Sequence, residues 1–203
     1  MKLKVCGMKY PENIQEVSTL LPDFMGFIFW EKSSRFFEGT LPPLPESIQK
    51  VGVFVDASIE EITAKIKQYQ LDFVQLHGSE SVGFCSELQK FPIKIIKVFS
   101  VDSEFDFEIL KPYEAVCDFY LFDTKGKLPG GNGVTFDWNH LEKYPSKKPF
   151  FLSGGIGIES INTLQELSLP IHAIDINSKF ETAPGLKNTL MVHQFQNLLK
   201  QLS

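Results

Sequence analysis

The chain is poor in the residues that build metal centres, disulfide frameworks and polyanion-binding faces. Its three cysteines, Cys6, Cys85 and Cys117, are odd in number and widely spaced, with no C-x-x-C. That usage fits reduced thiols in a cytoplasm and offers neither a disulfide framework nor a zinc pattern. The four histidines are equally scattered, so no metal constellation emerges from their spacing. Net charge is −5 and the longest basic run is the pair Lys147-Lys148. Neutralising a phosphate backbone needs clustered cations, so a nucleic-acid partner is excluded. No stretch approaches the roughly 20 apolar residues of a membrane span, and the amino terminus has no secretion-signal pattern. Neither a G-x-G-x-x-G after the first apolar run nor a G-x-x-x-x-G-K-S/T is present. Dinucleotide binding and P-loop phosphoryl transfer thereby lose their support. The expectation is a soluble cytoplasmic protein, with no membrane partner and an oligomeric state, monomer or homodimer, that the sequence does not reveal.

What the chain does have is a repeated alternation. Apolar or aromatic runs of three to five residues occur at Leu3–Cys6, Met25–Phe29, Val51–Val55, Phe73–Leu76, Ile95–Phe99, Phe119–Phe122, Phe150–Leu152 and Ala173–Ile176. That is the length of buried strands. Helix signals lie between them. Ser58-Ile59-Glu60-Glu61 reads as a capping box followed by Ile62, Ile66 and Tyr69 at helical spacing. Pro11 suits the first turn of a helix through Leu21, and Asp137 suits the cap of one through Tyr144. Ile158–Leu167 is amphipathic, and Leu186–Leu202 groups Leu190, Phe195, Leu198, Leu199 and Leu202 near one face. Three prolines in Glu38–Lys50 keep any helix there short. No linker divides residues 1–203, so one α/β domain is expected. Eight buried strands alternating with helices imply a parallel sheet, either open and doubly wound or closed as a compact (β/α)₈ barrel.

In both architectures the active site lies beyond the carboxyl ends of the strands. Polar and glycine residues gather at that end of the runs: Cys6-Gly7, Asp56, His77-Gly78, Asp123, Ser153-Gly154-Gly155 and Asn177-Ser178. Glycines let a backbone approach an anion closely, so the last two loops are a candidate phosphate cradle. Cys6 is a buried hydrophobe or a general base, and Asp123 a solvent-facing carboxylate or an acid. Arg35 is the only arginine beside 19 lysines, and its planar fork suits a carboxylate-bearing ligand. Gly130-Gly131-Asn132-Gly133 reads as a loop able to close over ligand.

Together these segments resemble phosphoribosylanthranilate isomerase. The resemblance runs collinearly through Lys4-Val5-Cys6-Gly7-Met8, Gly26-Phe27-Ile28-Phe29 with Ser33-Ser34-Arg35, Gln75-Leu76-His77-Gly78, Leu121-Phe122-Asp123, Gly130 to Trp138, Leu152 to Ile156, and Asp175 to Lys187. It implies a single (β/α)₈ barrel that needs no metal or organic cofactor and performs an Amadori rearrangement of a phosphoribosylated anthranilate. It makes Asp123 the general acid and Cys6 the general base. Arg35, Asp175 and His77 become substrate-binding residues, and Gly154, Gly155, Asn177 and Ser178 phosphate-binding ones. Two departures stand out. Ser33-Ser34-Arg35 replaces the usual Ser-Pro-Arg, which implies a looser loop. Asn177-Ser178-Lys179 replaces Ser-Ser-Gly, which implies strain at Lys179 if that backbone needs positive φ. The rival readings are another phosphosugar isomerase or epimerase on the same scaffold, of which the histidine-pathway sugar isomerase has a carboxylate at the Cys6 position, or an inactive phosphate-ligand barrel or α/β ligand-binding protein.

Overall fold

The computed structural model describes residues 1–124 and 138–202. All eight expected runs form strands: β1 (Lys2–Val5), β2 (Phe24–Ile28), β3 (Gln49–Phe54), β4 (Phe73–Leu76), β5 (Lys94–Val101), β6 (Phe119–Thr124), β7 (Phe150–Ser153) and β8 (Ile171–Ile176). They close into a parallel barrel in chain order, with β1 beside β8. The open-sheet alternative is thereby removed.

Alternation along each strand sends side chains to opposite faces, and two apolar clusters record this. Phe24, Val51, Phe73, Ile96, Leu121, Phe151 and Ala173 fill the barrel interior. Their sequence neighbours, among them Met25, Val74, Ile95, Tyr120, Phe122, Leu152 and Ile174, pack outward under the helices. Every second residue counted from an interior one therefore points inward. By that count Lys4, Cys6, Gly26, Gln75, His77, Asp123, Ser153, Asp175 and Asn177 face the barrel axis.

Among the described residues the connections carry fewer than eight α-helices. The helices α1 (Pro11–Ser18), α2 (Ile59–Tyr69), α3 (Val82–Leu88), α4 (Ile161–Glu166) and α5 (Thr189–Gln201) cover the outside. The Ser58 capping box is present, with Ser58 Oγ accepting from Glu61 N–H and the Glu61 carboxylate accepting from Ser58 N–H. α1 begins at Pro11 as expected but ends at Ser18, three residues early. Among the described residues after β5 and β6 the chain makes 3₁₀ segments, Phe107–Tyr113 and Trp138–Lys143, rather than α-helices. Pro112 removes a donor from the first. The Asp137 cap lies outside the described residues. Residues 38–48 contain no helix.

The final segment needs correction. Glu181–Ala183 and Leu186–Lys187 pair as a short antiparallel hairpin, β9 and β10, before α5 starts. Leu190 is 81% exposed, whereas Val192, Phe195 and Leu199 carry the buried face. Among the described residues no helix is long and apolar enough to cross a membrane.

Candidate active site

The carboxyl ends of the strands surround a cavity of about 300 Å³ lined by Cys6, His77, Asp123, Asp175, Gly154, Gly155, Asn177 and Ser178, together with Ile28, Val53, Gln75, Leu121, Ser153, Ile156 and Lys179. Eight of the nine site residues expected from sequence are thus brought to one hollow. A larger hollow, about 710 Å³, lies at the opposite end beneath Pro42, Pro43 and Pro45 and contains none of them. The Gly130–Gly133 loop lies outside the described residues.

Cys6 continues the β1–β8 ladder through its N–H, which donates to Ile176 O at 2.9 Å. Its side chain turns inward and is almost wholly buried. Gly26 makes that position available, because a Cβ there would stand 2.8 Å from the Cys6 sulfur. Two residues earlier on the same face, Lys4 is fully buried and donates to Asp175 Oδ2 at 2.7 Å. The barrel register sets Lys4 directly beside Asp175, and Cys6 is the next inward position along the same strand, where the ammonium favours a charged sulfur. Burial works against the Lys4 charge, but Asp175 and Cys6 outweigh it and hold this ammonium above the ordinary lysine range. Burial pushes the Cys6 thiol up, opposed by the ammoniums of Lys4 and Lys187. Burial also raises Asp175 against the pull of Lys4. The other oxygen of Asp175, Oδ1, is buried and lacks a hydrogen-bond partner among the described residues, as does Gln75 Oε1. Both residues line the cavity, and a buried acceptor of this kind ordinarily has a hydrogen-bond donor.

Asp123, the penultimate residue of β6, has a side chain 34% exposed and Oδ2 at 3.6 Å from His77 Nε2. His77 Nδ1 lies 3.5 Å from Gln75 Nε2. The loop carrying His77 is fixed from outside the barrel. Lys97 donates to Leu76 O at 3.3 Å, Gly78 O at 2.7 Å and Glu80 Oε2 at 2.9 Å. Glu80 in turn accepts the Gly78 and Asp56 N–H groups.

Arg35 is the expected residue that does not line the cavity. Its Nε and Nη2 fork onto Glu181, with Nη2 at 2.7 Å from Oε2. Glu181 also accepts Lys187 Nζ at 2.5 Å and Gly185 N–H at 3.1 Å. Burial pushes Glu181 up, yet Arg35 and Lys187 outweigh it and keep the carboxylate ionised. Arg35 stands at the rim beside Gly7, whose absent Cβ would meet Asn177 Oδ1 and Arg35 Cδ within 2.8 Å. The loop before it is tied despite lacking proline. Ser33 Oγ accepts Arg35 N–H at 3.1 Å and Lys9 donates to Ser34 O at 3.1 Å.

Gly154 and Gly155 turn with φ of +92° and +64°, which non-glycine residues rarely adopt. The adjoining loop enters a 3₁₀ turn at Ser178–Phe180. Lys179 lies inside that turn and has no positive φ, so the strain anticipated there is absent. Its Nζ bridges to Glu159 at 2.5 Å, linking the two loops. Asn177 Oδ1 accepts from Lys187 Nζ at 2.7 Å. Among the described residues no group of three or more His, Cys, Asp or Glu side chains is placed to hold a metal ion.

Lys4, Gln75, Glu181 and Lys187 escaped the sequence reading of the site. A lysine amid the apolar run Leu3–Cys6 was the available signal for the first of them. Glu181 and Lys187 stood inside a matched segment without a role.

Residues 3–197 match the protein family described as N-(5'-phosphoribosyl)anthranilate (PRA) isomerase. A protein of Phocaeicola vulgatus named N-(5'-phosphoribosyl)anthranilate isomerase is 45% identical over 202 residues, covering 99% of this chain and 98% of its own. The crystal structure of phosphoribosyl anthranilate isomerase from Thermotoga maritima superposes with a TM-score of 0.87 at 30% identity, covering 99% of both chains. A further structure of that isomerase, in complex with reduced 1-(o-carboxyphenylamino)-1-deoxyribulose 5-phosphate, has a TM-score of 0.84 at 28% identity, again over 99% of both chains.

Proposed function

The chain belongs to the N-(5'-phosphoribosyl)anthranilate isomerase family, and we propose that the cavity at the barrel mouth is where it carries out that family's reaction. The protein is an isomerase of tryptophan biosynthesis. It converts N-(5-phosphoribosyl)anthranilate into 1-(2-carboxyphenylamino)-1-deoxyribulose 5-phosphate, an aldose-to-ketose shift. Such a shift moves protons between neighbouring atoms, so it needs an acid and a base on different sides of one sugar.

The observation that carries the assignment is that Cys6 and Asp123, on strands three places apart around the barrel, line one cavity. In our reading Asp123 protonates the furanose ring oxygen and the ring opens to an iminium. Cys6, as thiolate, then takes the proton from ribose carbon 2, and the enolamine tautomerises to the ketone. His77, 3.6 Å from Asp123, orients that carboxyl. The unpartnered Asp175 Oδ1 accepts from the anthranilate N–H. Gln75 Oε1, orphaned in the same cavity, is assigned a ribose hydroxyl.

Amides of Gly154, Gly155, Asn177 and Ser178 cradle the phosphate, whose binding energy is spent far from the reacting carbons. Arg35 binds the anthranilate carboxylate through the Nη1–Nη2 edge of its guanidinium, while Glu181 holds the other edge. The cytoplasm, where thiols such as Cys6 stay reduced, is the compartment this chemistry suits.

The test is kinetic. Cys6→Ala and Asp123→Asn are each expected to lower kcat by roughly 10²–10⁴-fold, measured as loss of anthranilate fluorescence. The reduced product analogue should still bind both variants. Near-normal turnover in either one removes that residue from its role.

A further inference from the structure

A lysine with no exposure inside a barrel of Phe, Ile and Val is costly, and it persists only where charges and hydrogen bonds compensate it. Lys4 has that compensation in the Asp175 carboxylate at 2.7 Å, and the next inward position of its own strand is Cys6, whose charged form the ammonium favours. We propose that Lys4 is a positioning residue for the base, its ammonium held by Asp175 near Cys6 so that a charged sulfur is tolerated in the buried mouth. The inference rests on the reading of Cys6 as the general base and adds the residue on which its protonation depends.

The surroundings of Cys6 define the balance. From its own strand it faces Lys4, and from β8 Asp175. From β10 and the segment after β2 it faces Lys187 and Arg35, both bound to Glu181. Across the cavity stand Asp123 and His77. On the β2 side it meets Gly26, which brings no charge. The groups around the sulfur are thus three cations, Lys4, Lys187 and Arg35, and three carboxylates, Asp175, Glu181 and Asp123, with the imidazole of His77.

Within the cluster Lys4 and Asp175 pull the sulfur in opposite directions. The ammonium favours the thiolate and the carboxylate repels it. Removing one or the other must therefore move the titration of Cys6 oppositely, which general damage to the fold would not do.

The experiment is a pH titration of thiolate ultraviolet absorbance in the full-length protein, with the Cys6→Ser protein subtracted to isolate Cys6. Lys4→Met is expected to raise the Cys6 midpoint by about one pH unit or more, the scale of a lost nearby opposite charge. Asp175→Asn is expected to lower it. The acid limb of the kcat profile should follow each shift. An unmoved midpoint in Lys4→Met, or shifts of the same sign in both variants, overturns the proposal. If Lys4→Met does not fold, Asp175→Asn decides alone: a downward shift supports the proposal and its absence defeats it. Normal turnover in Cys6→Ser would instead sink the base assignment, which is a separate result from the direction of these titrations.

Discussion

Gly26→Ala probes how tightly the barrel holds its reactive sulfur. The glycine occupies an inward position on β2, and a Cβ there would lie 2.8 Å from Cys6 Sγ and 3.1 Å from Cys6 Cα. Ordinary contact begins near 3.4 Å, so the sulfur must retreat by about 0.6 Å or the two strands must part. Overpacking of this kind costs about 1–3 kcal/mol, against about 0.5–1 kcal/mol that alanine regains over glycine in a strand. A net loss of about 1–2 kcal/mol in urea unfolding is the expected result. For the chemistry, misplacing a reacting atom by 1 Å costs about 10²-fold, so a shift of this size should lower kcat about tenfold. KM should change little, because the phosphate and the anthranilate carboxylate are gripped elsewhere. Fluorescence assays of the two constants, run beside the unfolding curve, separate these effects. A variant with full kcat and unaltered stability would show that Cys6 is not confined by β2, and the account of its positioning would fail.

Two other perturbations test the frame around the site. Lys97 and Glu80 form an ion pair with side chains 4% and 2% exposed, so Lys97→Met strands a buried carboxylate and should cost about 3–5 kcal/mol. Because Lys97 also holds the carbonyls flanking His77, kcat should fall as well; a stability loss below about 1 kcal/mol in urea unfolding would contradict the buried-pair reading. Alkaline stability follows from two tyrosines. Burial pushes Tyr144 up to about 12 and also raises Tyr120. A raised folded pKa contributes stability that is complete below the unfolded value of about 10 and is lost as pH climbs through the folded one. Urea unfolding midpoints should therefore be level up to about pH 10 and decline from there towards about 12. Tyrosinate absorbance that reaches its full amplitude near pH 10 in the folded protein would refute this.

How much of this was legible in the sequence depends on what each feature requires. Strands of a parallel barrel are buried on both faces, so they stand out as short apolar runs, and all eight were readable. The Ser58 box was readable because capping is local. The weak points were local competitions with no strong signal. Pro112 within Phe107–Tyr113 leaves a 3₁₀ segment where a helix would complete the pattern. The turn at Pro184–Gly185 makes a hairpin whose second strand, Leu186–Lys187, takes the first residues that periodicity had assigned to the last helix.

The polar site divides along the same line. Cys6, Asp123 and the two glycines after β7 could be found because each sits at the end of its own apolar run. Lys4 could be flagged, since a charge at an inward position of a buried strand must meet its opposite or prevent folding. Its partner could not be named. Asp175 lies 171 residues away and Glu181 lies 146 from Arg35. Those pairs exist because closure sets β1 against β8 and brings the chain after β8 over the segment after β2. The alternation of side chains tells which residues face the axis; barrel closure alone decides which of them touch, and the charge balance around Cys6 is a consequence of that closure.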